Sequence, residues 1–383
     1  MSNDGKKLRI ALISNNYTPY SGGVVSSINA QVANLLEDGH LVRVITLDFL
    51  GNKHTDPDYV VRIHTPIKFR CRKNHYAIPW FMVTQLKQII TSMNADIIHV
   101  HHPFLLGTKG LEVARTLGIP VIFTYHTLYE EYAHYVPLPT TIAKPLIRKL
   151  VRNFCCAVDT IIVPSPNIRD YLKEQNIITI LQCIPSPLQS FFQGIPYTER
   201  TRSAGDPVKL LSVLRFTKEK NVPFLLDVLN LLDERFTLTL VGYGAEYENL
   251  RSYAYDHLQL STQQLQFVLK PPREQLINYY RDADLFLFPS RTDTQGLVML
   301  EAMACSTPAV AVMGPGQRAL IQHNKNGVLV TTEQEMQQAI TDLANHKEAY
   351  YAMQKEAWRT AQSFLPKQFR EKLLAVYRQL IDA

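Results

Sequence analysis

The sequence predicts an α/β protein made of two doubly wound domains, each with a parallel sheet between layers of helices. Short runs rich in β-branched residues alternate with longer amphipathic stretches along most of the chain, which is typical of parallel strands joined by helical crossovers. The alternation restarts near Val208 after a polar, turn-rich interval. A length of 383 residues also exceeds that of one domain of ordinary size.

Five apolar runs in the N-terminal half predict buried strands, because each is short, rich in Val and Ile, and bounded by polar or turn-forming residues. They lie at residues 8–14, 41–47, 96–100, 121–124 and 160–163. The amphipathic stretches between them predict helices at residues 23–38, 79–93, 105–117, 139–157 and 166–174.

The C-terminal half repeats this pattern, with strands predicted at residues 210–214, 236–242, 265–269, 284–290 and 308–313 and a helix at 221–233. Thr332 and Glu335 have the spacing of a capping box that opens a helix. Pro366, a residue tolerated in a first helical turn, opens a last amphipathic helix that runs to Ile381.

These elements divide the chain into four parts. We expect an N-terminal domain over residues 1–187, a hinge linker over 188–206 and a C-terminal domain over 207–365. We expect residues 366–383 to form a helix that packs back toward the N-terminal domain. Open α/β sheets bind ligands beyond the carboxyl ends of their strands, so the functional residues should lie in the loops there.

Composition excludes several classes of protein. No apolar run approaches the roughly 18 residues of a membrane-spanning helix, and the first residues do not resemble a secretory signal. Five cysteines without a C-x-x-C pair indicate reduced thiols and a cytoplasmic protein. The charge of 40 − 34 = +6 suits polyanionic partners but does not indicate nucleic acid.

The segment at residues 290–304, SRTDTQGLVMLEAMA, carries the strongest functional signal. A helix that starts near Gly296 would present the amides of Gly296, Leu297 and Val298 to a phosphate. Asp293 in the loop and Glu301 on the helix would bind hydroxyl groups, as carboxylates do well. This combination predicts a nucleotide-sugar site, although an acid at a helix start and an unrelated glutamate would give the same spacing.

This segment resembles the E-x7-E signature of the family 4 retaining glycosyltransferases, with Asp293 in place of the first Glu. The resemblance extends through NYTPYSGGV (16–24), SVLRFTKEKN (212–221), VGYG (241–244), YYRDADLFLFPS (279–290) and NGVLV (326–330). It implies the GT-B fold, in which two Rossmann-like doubly wound domains face a central cleft. The N-terminal domain of that fold binds the acceptor and the C-terminal domain binds the nucleotide sugar.

The resemblance also implies roles for individual residues. Glu301 would bind the ribose, Asp293 the sugar hydroxyls, and His126 would contact the donor sugar near the reacting carbon. The other residues implied in donor binding are Gly22, Gly23, Arg215, Lys220, Gln295, Gly296 and Leu297. Read without the resemblance, Gly22 and Gly23 indicate a turn, and His126 a capping or core histidine.

We expect no cofactor and no metal ion. His99 and His101 share a strand face but His102 does not, and no acidic ligand lies close in sequence beyond Asp96. The D-x-D pairs at Asp56/Asp58 and Asp282/Asp284 lie in a loop and at a helix-to-strand junction. Helix amides and the two cations Arg215 and Lys220 would replace the metal. Gly242 and Gly244 form only part of a dinucleotide motif and do not predict NAD.

Three segments, at residues 96–107, 124–137 and 294–297, look like the branch of the family that glucosylates diacylglycerol. That likeness implies UDP-glucose as the donor, a lipid acceptor, and a peripheral protein on the inner face of the membrane. Two basic tracts support an anionic membrane partner. One contains Lys68, Arg70, Arg72 and Lys73 and continues into Ile78, Pro79, Trp80 and Phe81, and the other contains Lys144, Arg148, Lys149 and Arg152.

Three departures from the family pattern leave alternatives open. Asp293 is one methylene shorter than Glu, Leu214 and Leu269 stand where Gly is common, and IPSPLQS (184–190) replaces an Asn-Gly pair. We favour a hexosyltransferase acting on a lipid such as diacylglycerol, because Arg215, Lys220 and Glu301 are retained. The alternatives are a polysaccharide-building glycosyltransferase and a catalytically silent nucleotide-binding protein at the membrane surface.

Overall fold

The computed structural model describes residues 6–18, 20, 22–48, 56–65, 67–71, 74–78, 82–201 and 205–383, without the side chains of 67–71, 74–78 and 273. The chain forms two compact units. The N-terminal unit comprises Met1–Ser186 with Pro366–Ala383, and the C-terminal unit comprises Pro187–Leu365. Each unit is an α/β domain built around a parallel sheet.

In the N-terminal unit, the strands are β1 (Arg9–Ile13), β2 (Leu41–Leu47), β3 (Val60–Ile63), β4 (Ile67–Cys71), β5 (Asn74–Ile78), β6 (Ile97–Val100), β7 (Val121–Thr124), β8 (Thr160–Val163) and β9 (Ile180–Cys183). The first five helices are α1 (Gly23–Glu37), α2 (Met82–Ser92), α3 (Leu106–Leu117), α4 (Thr140–Cys155) and α5 (Pro166–Glu174). Each predicted strand and helix of this half is present. The edge strands β3 and β9 and the β4–β5 hairpin were not predicted, since each is short and only partly apolar.

The parallel sheet of this unit has the order β3-β2-β1-β6-β7-β8-β9. The strands on one side of β1 follow in the order β2, β3, and those on the other side in the order β6 to β9. The position between β1 and β6 is therefore the switch point where doubly wound folds bind ligands. Strands β6, β7 and β8 are buried along their whole length, as expected for a sheet covered by helices on both faces. Gly22 and Gly23 follow β1 and His101 follows β6, so both flank the switch point.

In the C-terminal unit, the strands are β10 (Val208–Arg215), β11 (Phe236–Tyr243), β12 (Leu265–Leu269), β13 (Leu285–Phe288), β14 (Ala309–Val312) and β15 (Gly327–Val330). The helices are α6 (Val222–Leu231), α7 (Tyr247–Ser252), α8 (Leu276–Asp282), α9 (Leu297–Ala304), α10 (Pro315–Leu320), α11 (Glu333–Asn345) and α12 (Lys347–Gln362). The sheet order β12-β11-β10-β13-β14-β15 is the 3-2-1-4-5-6 order of dinucleotide-binding folds. Its switch point lies between β10 and β13. Strand β10 ends at Arg215, and β13 ends just before the 290–304 segment.

The predicted helix boundaries near the carboxyl terminus are confirmed. Thr332 caps α11 by accepting a hydrogen bond from the amide of Glu335 at 3.2 Å. The last helix, α13 (Pro366–Ile381), begins and ends at the predicted residues. It belongs to the N-terminal unit, where Phe369, Leu373 and Tyr377 pack in the core beneath β1 and β2.

The segment 188–206, which was expected to be a linker, belongs to the C-terminal unit. Leu188, Phe192 and Ile195 are buried in the core beside α9. The amide of Leu188 donates to the carbonyl of Phe364 at 2.9 Å, and Trp358 donates to the carbonyl of Ile195 at 2.9 Å. The absence of periodicity concealed these contacts, because the apolar residues of the segment are too few and too irregular to indicate a helix or strand.

Candidate active site

The loop after β13 turns into α9 at Gly296, as the sequence predicts. Gly296 has a φ of 72°, in the left-handed region, and a Cβ there would overlap the Met299 side chain, so the turn requires glycine. The amides of Leu297 and Val298, in the first turn, have no acceptor within the helix. The 290–304 segment therefore places helix amides at the switch point of the C-terminal sheet.

Lys220 and Asp293 form an ion pair beside this turn. Lys220 Nζ lies 2.8 Å from Asp293 Oδ1 and 2.7 Å from Oδ2, and both side chains are largely buried. The sequence assigned one residue to phosphate and the other to sugar hydroxyls without placing them together. Their contact resolves a difficulty in that assignment, since an acid close to phosphates would be repelled unless a cation accompanied it.

Arg215 is paired as well, with the buried Glu219 four residues later. Arg215 Nη2 lies 3.2 Å from Glu219 Oε1, which also accepts a hydrogen bond from the Thr217 hydroxyl at 2.7 Å. Glu219 is buried within the turn that joins β10 to α6, whereas 40% of the Arg215 side chain is exposed. Glu219 was missed by the sequence analysis, although an acid four residues after a functional arginine was a signal for it.

Glu301 is held by two neutral hydrogen-bond donors. Tyr280 donates to Oε2 and Gln189 to Oε1, each at 2.8 Å, and all three side chains are buried. Each carboxylate oxygen has two lone pairs, so Glu301 keeps acceptor capacity for ligand hydroxyls. Neither donor was predicted, because Gln189 was assigned to the linker and Tyr280 lies on a different helix, α8.

A second glycine-containing turn supports the 293–296 loop. The amide of Gly316, at the start of α10, donates to the carbonyl of Asp293 at 2.9 Å. A Cβ on Gly316 would lie 2.6 Å from the amide nitrogen of Gln295. Gly316 was not predicted, although the Gly-Pro-Gly-Gln run at residues 314–317 indicates a tight turn before a helix.

The glycines of the two other predicted motifs differ in their surroundings. A Cβ on Gly22 or Gly23 would meet no atom within 4 Å, so the space beside these residues is open. A Cβ on Gly242 would overlap the carbonyl of Leu214, and one on Gly244 would overlap that of Phe216. Close packing between β10 and β11 therefore accounts for Gly242 and Gly244 without a ligand.

His126 lies at the carboxyl end of the N-terminal sheet, where its Nε2 is 2.9 Å from Nδ1 of His101. Desolvation lowers the pKa of His126 well below the ordinary value, and the neighbouring His102 and His99 lower it further. Nε2 of His99 is hydrogen-bonded to the Thr124 hydroxyl at 2.6 Å. His101 and His126 therefore form a neutral hydrogen-bonded pair, and the ring of His99 stacks on that of His101.

Two family models match most of the chain. The one described as Glycosyltransferase Family 4 matches residues 21–185, and the one described as Glycosyl transferases group 1 matches residues 197–360. A relative from Streptococcus pneumoniae, an alpha-monoglucosyldiacylglycerol synthase, is 30% identical over 88% of this chain and 78% of its own. The chain is a family 4 glycosyltransferase.

Further likenesses agree with this membership. A relative of the same name from Acholeplasma laidlawii is 27% identical to the glycosyltransferase over 98% of both chains. The solved structure of sucrose-phosphate synthase from Thermosynechococcus elongatus matches with a TM-score of 0.82 and 21% identity, over 98% of this chain and all of that one. The glycosyltransferase thus has the GT-B fold and is a hexosyltransferase.

The D-x-D pairs of the glycosyltransferase have structural partners. Asp56 pairs with Arg62 at 2.6 Å, Asp282 pairs with Lys209 at 3.0 Å, and Asp284 accepts the amide of Lys209 at 2.8 Å. Within the described part of the chain, no three His, Cys, Asp or Glu side chains are grouped so that they could hold a metal ion.

The basic helix α4 carries fewer unpaired cations than its own sequence indicates. Arg148 donates to the buried Glu130 at 2.8 and 2.5 Å, and Lys144 lies 3.2 Å from Glu131. Arg148, one of the three cations predicted to face the membrane, is therefore paired with an acid from the turn at Tyr129–Tyr135, although 54% of its side chain is exposed. Lys149 and Arg152 are exposed and have no acidic partner among the described residues.

The second basic tract lies almost wholly outside the described residues, which exclude Arg72, Lys73, Pro79, Trp80 and Phe81. Lys68 and Arg70 lie in β4 and Ile78 ends β5, but their side chains are not described. No helix in the described part of the glycosyltransferase is long and apolar enough to span a bilayer.

Proposed function

We propose that the glycosyltransferase moves glucose from UDP-glucose to a lipid hydroxyl, with diacylglycerol as the acceptor, and retains the anomeric configuration. The observation that carries the proposal is the set of paired charges at the switch point of the C-terminal sheet, Lys220 with Asp293 and Arg215 with Glu219. Two relatives that match most of the chain are named for glucosyl transfer to diacylglycerol, which supports this donor sugar and acceptor.

In this proposal, Lys220 serves the sugar and the leaving group together. Its ammonium has three N–H donors, so it can hold Asp293 and still donate to a diphosphate oxygen. Asp293 accepts hydrogen bonds from sugar hydroxyls and Glu301 from the ribose. As the bond between the anomeric carbon and the diphosphate breaks, Lys220, Arg215 and the α9 amides stabilise the charge that develops.

The new bond forms on the face of the sugar from which the diphosphate departs. The acceptor hydroxyl attacks the anomeric carbon, and its proton passes to the phosphate oxygen of the departing UDP. Because cations and helix amides stabilise the leaving charge, we propose that the reaction needs no metal ion. A chelator should therefore leave the transfer rate unchanged.

The lipid acceptor is supported by an exposed apolar stripe on α4. Ile142, Leu146 and Leu150 are 56%, 44% and 48% exposed and are spaced four residues apart, so they share one face of the helix. The opposite face, with Ile147 and Val151, packs in the core. Large exposed apolar side chains in a row mark interaction sites on otherwise polar surfaces.

Another exposed apolar side chain belongs to a segment that contacts the end of α4. The hydroxyl of Thr179 donates to the carbonyl of Cys155, the last residue of α4, at 2.7 Å. Its sequence neighbour Ile178 is 89% exposed. With the unpaired cations Lys149 and Arg152, this surface fits the interfacial region of an anionic membrane. We propose that the enzyme is peripheral on the inner, cytoplasmic face of the membrane.

The test is incubation of UDP-glucose with phosphatidylglycerol vesicles that contain diacylglycerol, followed by mass analysis of the lipids. We expect one hexose on diacylglycerol and release of UDP. A lipid product formed only from another nucleotide sugar would correct the donor, and transfer only to a soluble glycan would favour a polysaccharide-building enzyme. UDP binding without any transfer or donor hydrolysis would show a silent nucleotide-binding protein.

A further inference from the structure

Three imidazole rings form a stacked column in the N-terminal unit. The ring of His101 lies between those of His99 and His126, with centroid separations of 4.4 and 5.2 Å and interplanar angles of 20° and 24°. His99 and His101 come from the end of β6, where alternate residues share a face, and His126 follows the neighbouring β7. The column therefore connects two adjacent strands at the carboxyl edge of the sheet.

The end of the column away from His126 is anchored by three other elements. Nδ1 of His99 lies 2.6 Å from the Tyr377 hydroxyl on α13 and 2.9 Å from Nε2 of Gln31 on α1, and Nε2 of His99 contacts Thr124. Gln31 and Tyr377 are themselves joined at 2.7 Å. His99 is thus bonded at both ring nitrogens, which fixes its plane and the plane of the ring stacked on it.

Burial keeps the column neutral. Desolvation lowers the pKa of His99 to about 3 and that of His101 well below its ordinary value. The charges of His99, His102 and His126 also lower the pKa of His101, and those of His99 and His102 lower the pKa of His126. Near neutral pH each ring therefore carries one N–H group.

The position of the proton on His101 follows from its surroundings. Nε2 of His101 is buried and has no hydrogen-bond partner among the described residues. A proton on Nε2 would leave an unpaired N–H group in the interior, and such groups are rarer than acceptors with an unused lone pair. A proton on Nδ1 is instead donated to Nε2 of His126, which is 2.9 Å away. His126 then accepts at Nε2 and carries its own proton on Nδ1.

We infer that His101 is a positioning residue, which fixes the ring of His126 and holds it as the Nδ1–H tautomer. In this form His126 acts on the donor sugar as a hydrogen-bond donor and not as a general base, because its basic nitrogen is occupied by His101. The inference rests on the proposed function for one step, the contact between His126 and the sugar. The tautomer itself does not depend on that step.

Two substitutions at His101 separate the hydrogen bond from the packing. His101→Phe keeps an aromatic ring in the column but removes the donor. His101→Asn loses the ring but places an amide N–H close to the former Nδ1, so it should restore the donor. Asn changes the volume of the side chain more than Phe does. A purely structural role would therefore make His101→Asn the less active variant, whereas a role in hydrogen bonding would make His101→Phe the less active one.

The first measurement is NMR of the imidazole nitrogens of His126 in each variant of the full chain. We expect the Nδ1–H tautomer in the parent and in His101→Asn, and a mixture or the Nε2–H tautomer in His101→Phe. An Nε2–H tautomer in the parent would overturn the inference, as would an unchanged tautomer in His101→Phe.

The second measurement is the kinetics of transfer from UDP-glucose. We expect kcat to fall about 10- to 100-fold in His101→Phe, the range known for partners that orient metal-ligating histidines. It should recover in His101→Asn. The Kd for UDP by calorimetry should not change, since the paired donor residues belong to the C-terminal unit. Equal kcat in all three proteins would overturn the positioning role.

The pH profile gives a third readout. The parent should show no histidine titration in kcat/KM between neutral and mildly acidic pH. In His101→Phe the nitrogen released on His126 should become protonatable, so activity should decline toward acidic pH. If no donor supports transfer in any of the proteins, the proposed function fails, while the NMR result still decides the tautomer.

Discussion

The two units prepare their functional groups by opposite electrostatic means. The C-terminal unit presents charged pairs, Lys220 with Asp293 and Arg215 with Glu219, on loops where the cations stay partly accessible. The N-terminal unit presents neutral rings, with His101 between His99 and His126, and buries those of His99 and His101. One site is organised by ion pairs and the other by hydrogen bonds and burial.

The proposed function explains this difference by the task of each set of residues. A site for a diphosphate must offer positive charge, but its cations must not repel one another when the site is empty. Pre-formed ion pairs meet both conditions. A residue that orients a neutral sugar needs a fixed direction and no charge, which burial and a saturated hydrogen-bond network supply. The two regions should therefore respond differently to loss of charge and to pH.

Removal of a cation from the C-terminal unit should have the largest effect. Lys220→Ala or Arg215→Ala removes a charge that faces the departing diphosphate, which should reduce kcat about 10²–10³-fold, or about 2.7–4 kcal/mol in barrier. Steady-state kinetics measures this loss. Lys218→Ala is the matched control, because Lys218 is an exposed cation on the same turn. Rates close to the parent's for both variants would show that these residues do not bind the leaving group.

Acid should destabilise the N-terminal unit through its histidines. Burial lowers the pKa of His99 to about 3 and of His102 to about 4, from the ordinary 6.5, so the unfolded state binds protons first as pH falls. The stabilisation by these histidines is complete above their pKa in the unfolded state and is lost as the pH falls below that pKa. From about pH 7.5 to about pH 5.5 each histidine should cost about 1.4 kcal/mol.

Urea unfolding at the two pH values measures this effect. His102→Asn should remove its share of the pH dependence, whereas His346→Asn, at an exposed site, should leave the dependence intact. Equal stability of the parent at both pH values would contradict a buried neutral column.

Charge reversal on α4 should release the enzyme from membranes without affecting the donor site. Lys149→Glu with Arg152→Glu removes two cations worth about 1 kcal/mol each at an anionic surface, or about 30-fold in partitioning. Vesicle co-sedimentation measures the change, and salt should imitate it in the parent. The control is Lys325→Glu with Lys355→Glu, the same charge change at exposed sites of the C-terminal unit. If the α4 variant binds vesicles as well as the parent does, this face of α4 is exposed to solvent and does not bind the membrane.

The smallest expected effect is at the anchor of the histidine column. Tyr377→Phe removes the hydroxyl shared by His99 and Gln31, which should lower the free energy of unfolding by about 0.5–1.5 kcal/mol, because Gln31 and His99 still contact each other. Urea unfolding measures it, and the Kd for UDP should stay constant. The variant Tyr351→Phe, at a less buried tyrosine of the C-terminal unit, is the control. No loss of stability would mean that the column does not depend on α13.

Sequence periodicity was sufficient for the elements whose pattern is local. The buried strands were predictable from runs of Val and Ile, Thr332 caps α11 as predicted, and α13 begins at Pro366. The turn at Gly296 was predictable for the same reason, since it depends on the conformation of one residue and the helix that follows it. The resemblance then predicted which of these loops belong to a donor site.

Contacts between residues distant in the chain could not be read in this way. The pairing of Arg148 was not predicted because its acid, Glu130, lies outside the helix that was considered. Gln189 looked like part of a linker, and Tyr280 had no assigned function, until both proved to bond Glu301. Each of these errors concerns a side chain whose partner belongs to another element.

The sequence by itself determined two doubly wound domains, the loops that follow their strands, and the residue types available for a nucleotide-sugar site, because these depend on hydrophobic periodicity and on short motifs. Tertiary structure alone decided which charges are paired and which histidine nitrogens meet a hydrogen-bond partner. Lys220 and Asp293 are 73 residues apart, and His99 and Tyr377 are 278 apart. Only the packing of strands and helices brings such side chains to hydrogen-bond distance, and burial then sets their charge.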